Sequence, residues 1–282
     1  MSNRHDGGLS GEENGVADAA NALKQKILAN EPSFVFSMRK SRTVTIVALA
    51  AASGYDGFYV DLQHSPIDLD AAAQIFQAGL LSDVAVFARV PSLEFGTIGR
   101  VMDAGAMGIL APDIRSGEDA RLLVRAALLA PNGERSVGSG IPNARFRGVP
   151  AAALAERINE ATLLIAMIET PEGVAAAEEI AAVEGIDAVE IGSNDLTTAM
   201  GIPNQYDHER LRDAYRHVIA ACRKHGKPMI AGGIRGRTLL ETYIAMGASR
   251  SYFVGTDTGF MLQGAQAVRA DAQAADDAVT AR

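Results

Sequence analysis

Tryptophan is absent from the 282-residue chain, cysteine occurs once, and aromatic residues make up only 5% of it. With Cys222 alone, neither an intrachain disulfide nor a thiolate zinc cluster can form, which fits a reducing compartment. Lys and Arg form no run, and the formal charge is −8, so the chain carries no electrostatic footprint for nucleic acid or anionic lipid. No run of about 18 apolar residues is present, which argues against a membrane-spanning helix. The polar, Gly-rich stretch from Met1 to Ala19 lacks the apolar centre of a secretory signal. The expectation is a soluble, cytoplasmic protein without nucleic-acid or membrane partners.

What is present is apolar residue in quantity, 48% of the chain, enough to bury a large core. Eight short apolar runs recur: Phe34–Met38, Phe58–Leu62, Val84–Val90, Gly108–Pro112, Leu163–Ile168, Ala188–Gly192, Pro228–Gly232 and Tyr252–Gly255. They are nearly continuous rather than alternating, as parallel strands buried on both faces are. Between them lie stretches of helical period with clear starts. Thr170-Pro171-Glu172 offers an N-cap, a first-turn proline and an acidic first turn, and Ser116-Gly-Glu-Asp does similarly. Asp207 is expected to open a helix that carries Leu211, Tyr215, Val218, Ile219 and Cys222 on one face and closes at Gly226, making Cys222 a core residue. Alternating strands and helices over this length predict a single-domain (β/α)8 TIM barrel of about 250 residues. The expected bounds are a disordered tail over 1–20, the barrel over 21–270 and a C-terminal tail over 271–282, although the last could continue a helix. A long segment from Ala130 to Glu160, with Pro131, Gly133, Gly138, Gly140, Pro142, Gly148 and Pro150, interrupts the rhythm. With Arg135, Arg145 and Arg147 it is expected near the top of the barrel, over the site or against a neighbouring subunit, or as a plain surface loop.

Chemistry-bearing residues fall at or just past the ends of these runs, where such barrels keep their active sites. Glu169 and Asp195 end successive strands and so come side by side at one rim. Two carboxylates with open positions suit Mg²⁺ or Mn²⁺; alternatively each caps a helix or forms an ion pair. His64, two residues past its run, can move a proton near neutrality or be merely exposed. Arg89 ends a strand near the interior and must be paired; a developing oxyanion or Asp61 are the candidate partners. The turn Gly192-Ser193-Asn194-Asp195 offers backbone amides to a carboxylate. The lysines are Lys24, Lys26, Lys40, Lys224 and Lys227; only Lys40 and Lys227 border predicted strands, Lys227 at the wrong end for Schiff-base chemistry.

These strings together resemble the HpcH/HpaI aldolase family, metal-dependent class II pyruvate aldolases of the 4-hydroxy-2-oxoheptanedioate aldolase type. The matching segments are Asp61-Leu-Gln-His-Ser-Pro66, Arg89-Val-Pro91, Met102-Asp103-Ala-Gly-Ala106, Ile168-Glu169-Thr170 and Gly192-Ser-Asn-Asp-Leu196. The resemblance spans about Lys24 to Ala267 and implies a barrel of the phosphoenolpyruvate/pyruvate type. It implies Glu169 and Asp195 as metal ligands, His64 as acid/base and Arg89 on the pyruvate carbonyl oxygen. Asp61 and Asp103 would orient Arg89 and His64, and the Gly192, Ser193 and Asn194 turn, with the Asp195 amide, would receive the carboxylate. The cofactor implied is a divalent ion, Mg²⁺ or Mn²⁺ first, with Co²⁺ or Zn²⁺ compatible. The partners implied are a 2-oxo acid, an aldehyde and further copies of the chain, as a homohexamer whose last helix packs on a neighbour. The sequence departs from the family pattern at Gln63, where many members have Glu, and at Met167, where many have Gln; both bear on substrate rather than on the ligands. The competing functions are an acyl-CoA lyase of the citrate lyase beta or malyl-CoA lyase type, and a non-catalytic metal-binding barrel.

Overall fold

Residue parity in the strands divides the core in two. A computed structural model of the chain describes residues 18–138, 141–146 and 151–281. In the run Leu163–Ile168, Leu163, Ile165 and Met167 join one buried cluster, while Leu164, Ala166 and Ile168 join another. Successive side chains of a strand point to opposite faces, so the first set fills an interior and the second meets surrounding helices. The rings of Tyr59, Phe87 and Phe253, from three different strands, meet in that interior with centroids 5.8–6.4 Å apart.

The elements in order are α1 (Asp18–Leu28), β1 (Ser33–Met38), α2 (Thr45–Ala52), β2 (Gly57–Asp61), α3 (Leu69–Gly79), β3 (Ala85–Arg89), α4 (Phe95–Asp103), β4 (Gly108–Ala111) and α5 (Gly117–Ala127). There follow a 3₁₀ turn (Pro142–Ala144), α6 (Ala151–Ala161), β5 (Leu163–Ile168), the short helices α7 (Pro171–Ala175) and α8 (Ala177–Ala181), and β6 (Ala188–Gly192). The chain continues with α9 (Ser193–Ala199), α10 (Glu209–Lys224), β7 (Met229–Gly232), α11 (Arg237–Met246), β8 (Ser251–Thr256) and α12 (Asp257–Thr280). All eight predicted strands are present. The eight form one parallel ladder in the order β7-β6-β5-β4-β3-β2-β1-β8, and β7 packs beside β8, giving a nearly closed barrel.

The predicted starts of α5 and α7 hold in detail: Ser116 Oγ accepts from the Asp119 amide and Thr170 Oγ1 from the Gly173 amide, each at 3.2 Å. Helix α10 begins one residue later than expected. His208, not Asp207, is its cap, and Nδ1 accepts from the Arg210 amide at 3.1 Å. Cys222 is buried among apolar neighbours, which pushes its thiol up to about 12 and makes it core, as expected. The 271–280 stretch takes the helical alternative, since α12 runs to Thr280, and α1 already begins at Asp18.

One end of the barrel is plugged. Leu23 and Ile27 of α1 enter the interior cluster, and Lys24 Nζ donates to the Thr162 carbonyl at 2.8 Å and pairs with Asp187 at 3.0 Å, just before β5 and β6 begin. The described parts of the segment 130–160 lie at this same end, which corrects its expected place near the top. It links α5 to β5, so it must turn where strands start. Arg135 Nε donates to the Ala127 carbonyl at 2.9 Å, Asn143 Nδ2 to the Ala106 carbonyl and Arg145 to the Leu80 carbonyl, both at 3.1 Å. Gly140, Arg147, Gly148 and Pro150 lie outside the described residues.

Candidate active site

At the opposite end the interior turns polar. The inward positions continue past the apolar layer as Ser37 and Arg39 after Val35, Asp61 after Tyr59, Arg89 after Phe87, Glu169 after Met167, and Glu190 and Gly192 after Ala188. Parity and parallel register thus bring these side chains together: Asp61 stands opposite Arg89, and Met167 opposite Glu190. All but Asp61, which is buried behind Arg89, line one cavity with Ser193, Asn194, Asp195, Arg235 and Thr256.

Asp61 is fully buried between two arginines. Arg89 embraces it with two hydrogen bonds, Nε to Oδ1 at 3.0 Å and Nη2 to Oδ2, while Arg39 Nε reaches Oδ2 at 2.9 Å. Burial alone would raise the Asp61 carboxyl, but the hydrogen bond and charge of Arg89 outweigh it and hold the group below its ordinary value. Burial likewise opposes the charge on Arg89, and Asp61 overcompensates. The Arg89 guanidinium also stands over the Tyr59 ring, 5.7 Å from its centroid. The structural pair with Asp61 fixes Arg89 while leaving it on the cavity wall, so it can also face a substrate oxygen.

Glu169 is buried, and its Oε1 accepts from the Asp113 amide at 2.9 Å. Its other oxygen looks toward Gly192, where any Cβ would sit 2.9 Å from Oε2. Burial and then the neighbouring charge of Asp195 push the Glu169 carboxyl up to about 7. Asp195, in the first turn of α9, is exposed. Two carboxylates that repel each other, one with a free oxygen held open by a glycine, suit a hard divalent cation with oxygen ligands. Among the described residues no group of three or more His, Cys, Asp or Glu could hold a metal, so remaining positions on such a cation fall to water and substrate.

The turn at Gly192 is the start of α9. The first-turn amides of Ser193, Asn194 and Asp195 are those a helix leaves without an intrahelical acceptor. Ser193 is anchored through its hydroxyl to Tyr215 at 2.8 Å, and Tyr206 donates to Asn194 Oδ1 at 2.5 Å.

His64 stands in the β2–α3 loop at this end, its amide donating to Asp61 Oδ1 at 3.0 Å. The imidazole is exposed and, among the described residues, has no hydrogen-bond partner. Asp103 is not brought to His64 or Arg89 within one chain. Helix α4 runs back against the strands, so its last residue lies at the plugged end, where Arg135 Nη1 donates to Asp103 at 2.7 Å. Gln63 borders Asp61, to which its amide donates at 3.2 Å.

Three residues on the cavity wall were not singled out in the sequence: Arg39, Arg235 and Glu190. Arg39 follows β1 just as Arg89 ends β3, so the strand-end argument applied to β1 finds it. Glu190 had a stronger signal, a lone carboxylate inside a strand buried on both faces.

Residues 34–263 match the family described as HpcH/HpaI aldolase/citrate lyase. A 4-hydroxy-4-methyl-2-oxoglutarate aldolase, tasA, of Hapsidospora irregularis is 35% identical over 249 residues, 86% of this chain and 92% of that protein. A hydroxypyruvate/pyruvate aldolase of Sagittula stellata is 33% identical over 205 residues, 72% of this chain and 79% of that protein. The crystal structure of an HpcH/HpaI aldolase from Desulfitobacterium hafniense superposes with a TM-score of 0.81 at 28% identity, covering 88% of this chain and 95% of that one. Barrel, rim chemistry and these likenesses agree: the chain is an aldolase, a carbon–carbon lyase, and belongs to the HpcH/HpaI aldolase/citrate lyase family.

Proposed function

We propose that the protein reversibly cleaves a 4-hydroxy-2-oxo acid into pyruvate, or a close 2-oxo acid, and a carbonyl compound, using Mg²⁺ or Mn²⁺ held by Glu169 and Asp195. The observation that carries this is the pair of carboxylates at neighbouring strand ends in one cavity with a buried, pre-oriented Arg89. A divalent cation supplies Lewis acidity there, making the protons on C3 of a 2-oxo acid removable.

The chain's own residues do the rest. The amides of Ser193, Asn194 and Asp195 receive the substrate carboxylate at the start of α9. Arg89 donates to the 2-oxo oxygen as negative charge grows on it during cleavage. Because Asp61 fixes the guanidinium beforehand, little reorganisation is needed at that moment. His64, at the open edge, takes the proton from the C4 hydroxyl as the C3–C4 bond breaks and returns it to that oxygen in the synthetic direction. Asp103 has no part in this scheme within a single chain.

The acceptor side is where Arg39 and Arg235 meet the cavity, with Arg235 exposed. Arg39 and Arg89 share the one charge of Asp61, and the excess positive charge, with Arg235, favours a carbonyl compound that carries its own carboxylate, as cleavage of 4-hydroxy-4-methyl-2-oxoglutarate releases. A homo-oligomer is part of the proposal, supported by Met261, Leu262, Val268 and Val279, which α12 leaves exposed.

The test is pyruvate release, coupled to lactate dehydrogenase, from a panel of 4-hydroxy-2-oxo acids with and without a second carboxylate. Metal-stripped protein should be inactive, Mg²⁺ or Mn²⁺ should restore it, and Glu169→Ala and Asp195→Ala should not respond. Metal-bound protein that releases nothing from any panel member would move the assignment to the acyl-CoA lyase reaction.

A further inference from the structure

Glu190 is a carboxylate in the floor of the cavity that the scheme above leaves without a task. It is 3% exposed, on the inward face of β6, and burial followed by the charge of Glu169 pushes it up to about 8 against the opposing pull of Arg89. Its side chain lies across β7 at Gly232, where a Cβ would come within 2.0 Å of Oε1 and 2.7 Å of Cδ. Only glycine at 232 lets the carboxyl occupy this place. Among the described residues that line the cavity, Glu190 Oε2 is the one buried side-chain oxygen with no hydrogen-bond partner. A buried polar atom left unpaired is costly, and in a binding site the missing partner is commonly the ligand.

The proposed seating says which part of the ligand is near. A 2-oxo acid with its carboxylate on the amides of Ser193 to Asp195 and its carbonyl oxygen on Arg89 has one remaining substituent, C3. The side chains that rise from the barrel interior to line the cavity are Tyr59, Met167, Glu190 and Phe253, of which Glu190 alone has an unpaired oxygen. We propose that Glu190, given its place by Gly232, is a specificity-determining residue that hydrogen-bonds a hydroxyl on C3 of the 2-oxo acid, so that hydroxypyruvate is preferred to pyruvate as the three-carbon partner. This rests on the aldolase assignment and on that seating. A site that pairs a substrate hydroxyl discriminates strongly against the analogue without it, because the protein's own polar group is then left unpaired.

Pyruvate and hydroxypyruvate are to be compared on Mg²⁺-loaded wild-type protein, Glu190→Gln, Glu190→Leu and Gly232→Ala. Calorimetric Kd is measured without aldehyde, and kcat/KM is measured for exchange of C3 hydrogens with deuterium oxide. Wild-type protein should favour hydroxypyruvate. Glu190→Gln, which keeps volume and hydrogen bonding, should hold that preference within about threefold, while Glu190→Leu should reduce it by about 10- to 100-fold. Gly232→Ala, which drives a methyl into the carboxyl, should reduce it in the same direction and keeps the test open should Glu190→Leu not fold. An unchanged ratio in Glu190→Leu and Gly232→Ala, with exchange intact in wild-type protein, overturns the role of Glu190 and leaves the aldolase assignment standing. Absence of exchange with either acid in metal-loaded wild-type protein overturns both.

Discussion

The two ends of the barrel each bury an arginine, and the two arginines do different work. Arg135, at the end where strands begin, is 4% exposed, yet its carboxylate partner Asp103 is half in water and its Nε is satisfied by the Ala127 carbonyl. It ties the segment after α5 to the end of α4. Burial without full compensation draws its guanidinium below the usual arginine value. Arg89, at the end where strands finish, is 6% exposed but faces a fully buried carboxylate, an aromatic ring and a cavity, and is driven the other way. Burial of a charge therefore says little about function. What separates a fastening from a working group is whether the pair is closed on itself or leaves one face on a cavity.

That contrast can be broken most severely at Asp61. Asp61→Ala leaves Arg89 buried without its counter-charge and should lower unfolding free energy by about 3–5 kcal/mol, measured by urea denaturation. Next is Arg89→Ala, expected to reduce kcat by ~10²–10³ in the pyruvate-release assay, as loss of one preorganised donor does. Arg135→Ala should lower Tm while changing kcat far less. A comparable loss of kcat would erase the distinction between the two ends.

A pH experiment sharpens the comparison on the metal side. The Glu169 carboxyl, pushed up to about 7, is protonated below that pH, and the proton competes with the cation. Mn²⁺ affinity, followed by titration calorimetry, should fall about tenfold per pH unit below 7 and level off above it. A flat profile from pH 5 to 8 would mean that Glu169 is either not a ligand or not raised by burial and Asp195. The smallest effect belongs to Asp103→Ala at the plugged end, which should cost less stability in urea denaturation than Asp61→Ala, since half of the Asp103 side chain is already hydrated and Arg135 keeps its bond to the Ala127 carbonyl.

The rim residues were legible because a strand-end position is a local property. Glu169, Asp195, Arg89 and Asp61 each follow an apolar run, and parallel strands of similar length carry such residues to one end. His64 lies at the cavity end for the same reason. Asp103 did not, because it closes a helix, and helices in this fold run back to the other end. The 130–160 segment misled for the same reason: prolines and arginines advertise a long loop, but its place follows from its joining a helix to a strand.

The sequence by itself determined the eight strands, the helix starts at Thr170 and Ser116, and most of the strand-end charges, since each depends on neighbours within a few residues. Only the tertiary structure decided that Arg39 joins Arg89 on Asp61, that Glu190 turns inward over Gly232, and that Asp103 is tied to Arg135. Those outcomes depend on register between strands distant in sequence and on the space one backbone leaves beside another, which local patterning does not encode.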